Sequence, residues 1–160
     1  MQNIPEISVV IPLFNESESL IELTETIQNA LKKNNFNYEI IFIDDGSTDN
    51  SWFSIKEIAK KSKNITGISF SKNFGKSQAL HAGFEKAKGN FIFTLDADLQ
   101  DSPYEIPLMH EILLKDKLDL ISGWKKKRFD SILFKNIPSK LFNWAARKVS
   151  GIKIHDFNCG

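Results

Sequence analysis

The chain has 160 residues, 21 basic against 20 acidic side chains, a net charge of +1 and 41% apolar residues. That is enough for one domain with a real core, and the charge balance argues against a general nucleic-acid binder, although local patches remain open. The single cysteine, Cys159, excludes an internal disulfide framework and suits a reducing compartment.

No basic region followed by an apolar run opens the chain, so no signal peptide is read there. No apolar stretch is long enough to span a bilayer, so the chain itself is expected to be soluble. The first strand is expected over residues 7–12, a β-branched run ended by Pro12. Asn15-Glu16-Ser17-Glu18 then opens a helix, with polar caps and acids in its first turn. Leu20, Ile21, Leu23, Ile27, Ala30 and Leu31 recur at helical spacing to about Lys33. A second strand covers 38–43 and ends in Asp44-Asp45-Gly46-Ser47. The helix after it covers 49–61, with Trp52, Ile55, Ile58 and Ala59 on its inner face and Ser47 or Asp49 as cap. A third strand covers 65–70, and a helix follows from about Ser77 to Ala87, stopped by Gly89. His81 lies in that helix and is read as structural.

The apolar strand beginning at Phe91 ends abruptly in Asp96-Ala97-Asp98-Leu99-Gln100. Phe, Ile and Thr favour a pleated strand, and charges cannot continue into a core without partners. The strand must therefore surface at Asp96. A fourth helix covers 103–115, a fifth strand 118–122, a basic loop 125–128 and a last helix 134–149. The chain stops at Cys159-Gly160 directly after a polar cluster, so it is expected to be cut short of a C-terminal part.

Strands alternating with helices imply a parallel sheet covered on both faces. Right-handed crossovers place every strand's carboxyl end on one edge, where ligands of open α/β sheets sit. Four polar clusters share that edge: 12–16, 44–47, 72–76 and 96–100. Asp96, Asp98 and Gln100 form a hard oxygen set suited to Mg²⁺ or Mn²⁺. The plainer alternative is turn and cap residues before the helix that Pro103 opens. Asp44 and Asp45 can accept bonds from a base N–H or a ribose hydroxyl, or serve the turn. Asn73-Phe74-Gly75-Lys76 lacks the P-loop spacing, yet Lys76 is a candidate to offset phosphate charge. The 125–128 run is either a solvated loop or a phosphate contact.

Val9-Val10-Ile11-Pro12-Leu13-Phe14-Asn15-Glu16, Ile43-Asp44-Asp45-Gly46-Ser47-Thr48-Asp49, Asn73-Phe74-Gly75-Lys76 and Leu95-Asp96-Ala97-Asp98-Leu99-Gln100-Asp101 occur in this order. Together they resemble the family 2 glycosyltransferases with a GT-A fold. Within that family, Asp-Ala-Asp-Leu-Gln, Gly123-Trp124-Lys125 and the final Asp156-Phe157-Asn158-Cys159-Gly160 resemble dolichyl-phosphate mannose synthases and undecaprenyl-phosphate sugar transferases.

The resemblance implies a Rossmann-like three-layer α/β/α domain with a mostly parallel sheet, filling residues 1–160 as one catalytic domain. It implies an inverting, metal-dependent transfer from a UDP- or GDP-linked sugar to a polyprenyl phosphate. A glycan or protein hydroxyl as acceptor, or a donor-binding module without turnover, are the alternatives. By this likeness Asp96, Asp98 and Gln100 hold the metal, with Asp98 and Asp156 as catalytic residues. Pro12, Phe14, Glu16, Ile43, Asp44, Asp45, Lys76, Asp96, Ala97 and Lys125 contact the nucleotide sugar. Phe14 stands where this branch often has Tyr, and Lys125 where it often has Arg, which removes a bidentate fork. Membrane association of the full-length protein on the cytoplasmic side is implied, no nucleic-acid partner is, and a homo-oligomer is compatible.

Overall fold

The computed structural model describes residues 4–123, and among them parallel strands in the order β3-β2-β1-β4 form one sheet. Two compact units divide the chain, 1–118 and 119–160, and the elements below all lie in the first. In chain order they are β1 (Ile7–Leu13), α1 (Leu20–Lys33), β2 (Tyr38–Asp44), α2 (Ser51–Lys61), β3 (Ile65–Ser69), α3 (Lys76–Lys86) and β4 (Phe91–Thr94). A 3₁₀ turn (Pro103–Glu105) then leads into α4 (Ile106–Asp116).

β1 is central and every one of its residues is buried. It runs parallel to β2 from Ile7↔Tyr38 to Leu13↔Asp44, and to β4 from Ile7↔Phe91 to Val10↔Thr94. The period of two then decides the layers. Ile7, Val9, Ile11 and Leu13 face one side with Ile40 and Phe42, and pack on Leu20, Leu23, Ile27 and Leu31 of α1, Ile55 of α2 and Ile106 of α4. Val10, Ile41 and Ile43 face the other side and meet Ala79 of α3. Each buried Ile or Leu contributes roughly 1.5–3 kcal/mol relative to exposure, so the first cluster dominates stability. The reversal of face has a topological cause. The chain steps from β1 to β3 in one direction and returns past β1 to β4, and crossovers of one hand then put α3 opposite α1 and α2. Small residues let α3 lie close: a Cβ added at Gly83 would overlap Val10 and Ile43 side-chain atoms.

Several expectations need correction. Pro12 does not end β1, which runs on to Leu13. The Val10 carbonyl accepts from Leu95 on the β4 side and the Leu13 carbonyl from Asp45 on the β2 side. Alternation turns the Pro12 nitrogen toward β4, whose pairing has stopped at Thr94, so no ladder bond is lost. Helix α1 starts at Leu20, not at Asn15, because Asn15 has φ 58 and cannot continue a right-handed helix. Ile21 lies on the outer face of α1. Ser47 caps no helix; its hydroxyl accepts from the Asn15 N–H. Helix α3 ends at Ala87, which is extended, so Gly89 is not its stop. A Cβ at Gly89 would meet Ser8 backbone and side-chain atoms, and the Gly89 N–H donates to Ser8 Oγ at 2.8 Å. His81 is exposed, 3.9 Å from Glu85 one turn on.

The fifth strand is absent among the described residues. Lys117 takes a left-handed C-cap at φ 51, and residues 118–122 carry no strand assignment. A short apolar run becomes a strand only where its N–H and C=O groups find a ladder, and none is paired with it among the described residues. The basic loop 125–128 and the helix 134–149 lie outside the described residues, as do Lys125 and Asp156.

Candidate active site at the carboxyl edge of the sheet

Strand order reverses between β1 and β4, which opens a crevice beyond their carboxyl ends. A cleft of about 390 Å³ lies there. Pro12, Leu13, Phe14 and Glu16 come from the end of β1 and its loop, and Asp45 from the end of β2. Asn73, Gly75, Lys76 and Ala79 come from the β3–α3 connection and the start of α3, and Asp96, Ala97 and Asp98 from the end of β4.

The first wall is interlocked. The Asn15 N–H donates to Ser47 Oγ at 2.9 Å, the Glu16 N–H to Ser51 Oγ at 2.9 Å, and the Ser17 N–H to Asp49 Oδ2 at 3.1 Å. In return the Thr48 N–H donates to Asn15 Oδ1 at 2.8 Å. These bonds span more than thirty residues of sequence and fix the loop that carries Phe14 and Glu16. Burial pushes the Asp49 carboxyl up, but hydrogen bonds from Ser51 and Ser17 outweigh it and bring the group down to about 2.

Asp44 and Asp45 look alike in sequence and differ in place. Asp44 is buried, accepts from the Ser47 N–H at 2.9 Å and from Ser69 Oγ at 3.2 Å, and does not line the cleft. Asp45 is also buried and takes two amides, Phe74 N–H on Oδ1 and Gly75 N–H on Oδ2, each at 2.8 Å. It thereby ties the β2 end to the start of α3. Gly46 permits the crossing: it has φ +73, and a Cβ there would strike the Lys72 backbone.

The β4 wall is looser. Asp96 is half-buried and Asp98 exposed. Leu99 has φ 61, which turns the chain so that the Gln100 N–H donates to Asp98 Oδ1 at 3.0 Å. Lys76 Nζ lies 2.6 Å from Asp96 Oδ1. Four acids and one lysine line the cleft. Glu16 registers that excess: burial first, then the charges of Asp98, Asp49 and Asp96, hold its carboxyl above the usual range.

The donor chemistry fits a hard divalent cation, with oxygen ligands from Asp96 and Asp98 and room for phosphate oxygens to complete the shell. Among the described residues no three His, Cys, Asp or Glu side chains are grouped to hold an ion alone. A Mg²⁺ or Mn²⁺ held through one or two carboxylates and a substrate phosphate needs no such cage.

A family model for glycosyl transferase family 2 matches residues 8–159. The chain belongs to that family. Among curated relatives, the dodecaprenyl-phosphate galacturonate synthase of Rhizobium johnstonii is 36% identical over 96% of this chain and 46% of its own length. The undecaprenyl-phosphate 4-deoxy-4-formamido-L-arabinose transferase of Aeromonas hydrophila is 39% identical over 96% of this chain and 47% of its own. The family 2 chain thus spans about half the length of the curated relatives it matches. In shape it is similar to S. aureus TarS 1–349 solved with UDP-GlcNAc, at TM-score 0.59 and 21% identity over 81% of this chain and 38% of that one. A mannosyltransferase of Pyrobaculum calidifontis, solved with GDP-Man and Mn²⁺, gives TM-score 0.52 and 22% identity over 61% of this chain and 28% of that one. Likeness at that identity speaks for the fold, and the fold is GT-A.

In this family 2 chain the cleft gathers Pro12, Phe14, Glu16, Asp45, Lys76, Asp96, Ala97 and Asp98 from the sequence expectation. Ile43 lies beneath it, packed on Ala79 and Val10, and Asp44 and Gln100 stand outside its lining. The lining also contains Leu13, Asn73, Gly75 and Ala79. Asn73 and Gly75 belong to the Asn-Phe-Gly-Lys cluster and were legible there. Ala79 is three residues past Lys76 on a helix, which puts both on one face.

Proposed function

We propose that the protein is a metal-dependent, inverting glycosyltransferase that moves a sugar from a UDP- or GDP-linked donor to a polyprenyl phosphate. One observation carries this reading: the acids of the D-x-D pair and a lysine face the β1 loop across a cleft at the switch point. Nucleotide-diphosphate ligands suit such a place. Pro12, Phe14, Glu16 and Asp45 receive the nucleoside, with Ile43 and Asp44 shaping the wall from behind. Asp96 and Asp98, with Gln100 turning in from outside the cleft lining, would hold the divalent cation, and the small Ala97 lines the cleft between the two acids. The cation, when bound, offsets negative charge on the departing diphosphate. Lys76 adds positive charge to the same group; for Lys125, outside the described residues, the family resemblance implies a nucleotide-sugar contact.

The acceptor oxygen attacks the anomeric carbon from the face opposite the diphosphate. A C–O bond to the acceptor forms as the bond to the diphosphate oxygen breaks, so the centre inverts. A phosphate acceptor is already anionic, so little proton abstraction is needed. Asp98 then orients the reacting groups, and Asp156, outside the described residues, keeps the catalytic role that the family resemblance implies for it. The curated relatives support this acceptor, since both names carry a polyprenyl phosphate. No described helix is long and apolar enough to cross a membrane; membrane association on the cytoplasmic side is proposed for the whole protein.

The test is transfer from radiolabelled UDP- and GDP-sugars to undecaprenyl phosphate with Mn²⁺. A chloroform-soluble labelled product is expected. Label appearing only on glycan or peptide hydroxyls overturns the acceptor, and donor binding without any transfer overturns the enzyme.

A further inference from the structure

Lys76 occupies an unusual place. It is the first residue of α3, where the helix dipole disfavours a cation, and no acid shares that first turn. Helix stability therefore gives no reason for a lysine there. Its partner lies across the cleft: Asp96 Oδ1 at 2.6 Å, with the two side chains 49% and 37% exposed. The start of α3 is fixed from below, because Asp45 holds the Phe74 and Gly75 amides. Lys76 can thus reach Asp96 reproducibly although its stem is flexible.

We propose that Lys76 is a built-in counter-ion that occupies Asp96 until a divalent cation and the donor diphosphate arrive, and that it then passes to the diphosphate. The proposal rests on the reading of the cleft as a metal-dependent nucleotide-sugar site. An ammonium at hydrogen-bond distance from Asp96 Oδ1 weakens the hold of that carboxylate on a divalent cation, since the two positive charges repel. Without nucleotide, Lys76 offsets part of the repulsion among Glu16, Asp96 and Asp98, the crowding that Glu16 registers. The empty cleft therefore holds metal weakly. Once diphosphate oxygens are present, the lysine has a second anion within the same cleft, and its release from Asp96 costs little. Cation and nucleotide then bind as a coupled pair rather than one after the other.

The test is Mn²⁺ titration by calorimetry, alone and with UDP or GDP, on the wild type, Lys76→Met, Lys76→Arg and Asp96→Asn. Lys76→Met is expected to bind Mn²⁺ alone up to about fivefold more tightly, the scale set by an exposed ion pair. The same variant binds UDP or GDP more weakly in saturating Mn²⁺, and Lys76→Arg restores wild-type behaviour in both arms. Equal Mn²⁺ affinity in wild type and Lys76→Met, with Asp96→Asn binding lost, overturns the counter-ion role and leaves the metal site standing. No Mn²⁺ binding by any of the proteins, with or without UDP or GDP, removes the metal site and this proposal together.

Discussion

The two walls of the cleft are built by opposite means. The wall after β1 and β2 is knitted by bonds between distant loops, Asn15 to Ser47, Glu16 to Ser51, Ser17 to Asp49 and Asp45 to the Phe74 and Gly75 amides. The wall after β4 is tied over short range, by the Gln100 amide on Asp98, and across the cleft by the exposed Lys76–Asp96 pair. A wall that is over-determined holds its shape before a ligand comes, which lowers the cost of binding a rigid group such as a nucleoside. A wall with exposed acids can adjust to a cation and phosphates that bring their own geometry. Breaking the first wall should therefore cost stability, and breaking the second should cost ligand binding with the fold intact.

The largest expected loss is at Asp45. Asp45→Ala leaves two amides without their carboxylate, and bonds to a charged acceptor make the cost about 3 kcal/mol. Urea unfolding checks this; a loss under about 1 kcal/mol would mean the wall does not depend on that tie.

Asp49 should cost less and should show its cause through pH. Its carboxyl lies at about 2 in the folded chain against an ordinary 3.8. The folded value is the lower one, so the stabilisation is present above pH 3.8 and is lost as pH falls through about 2. Asp49 is exposed, and solvent screening brings the contribution down to about 1 kcal/mol. Asp49→Asn should be less stable than wild type near neutrality, with the gap closing as pH falls toward and below about 2. A constant gap across that range would assign the effect to packing.

Glu16→Gln should give the smallest change, and with the opposite sign. The Glu16 carboxyl is held above its ordinary 4.5 by burial and by Asp98, Asp49 and Asp96. Its ionised form is the strained one, so the penalty exists above the folded value and vanishes below 4.5. The variant should gain a few tenths of a kcal/mol at neutral pH and nothing at acid pH. A loss at neutral pH would show that Glu16 holds the loop rather than crowding the cleft.

Local pattern explains what the sequence revealed. The apolar runs of β1 and β2, and the 3.6 period in α1, located these elements and the carboxyl-edge clusters because each signal is contained in its own segment. What escaped depends on partners far along the chain. The Asn15 turn is set by Ser47 and Thr48, so capping rules placed the start of α1 too early. Asp44 and Asp45 read as a matched pair, yet the Ser69 hydroxyl claims one and the β3–α3 amides the other. The run at 118–122 is short and largely apolar, but apolar character does not supply a neighbouring ladder. The D-x-D acids and Lys76 were each visible in the sequence, whereas the pairing of Lys76 with Asp96 is visible only after α3 has crossed the sheet.

The most direct test of the two-wall account is a thermal-unfolding series with UDP and GDP, in Mn²⁺ and in EDTA, on the wild type and Asp98→Asn. The account predicts equal stability of the two proteins without ligand. In Mn²⁺, nucleotide at a hundred times its dissociation constant should stabilise the wild type by about 2.7 kcal/mol, with that gain lost in EDTA and in Asp98→Asn. Equal stabilisation in EDTA, or an Asp98→Asn protein that unfolds early without ligand, would contradict it.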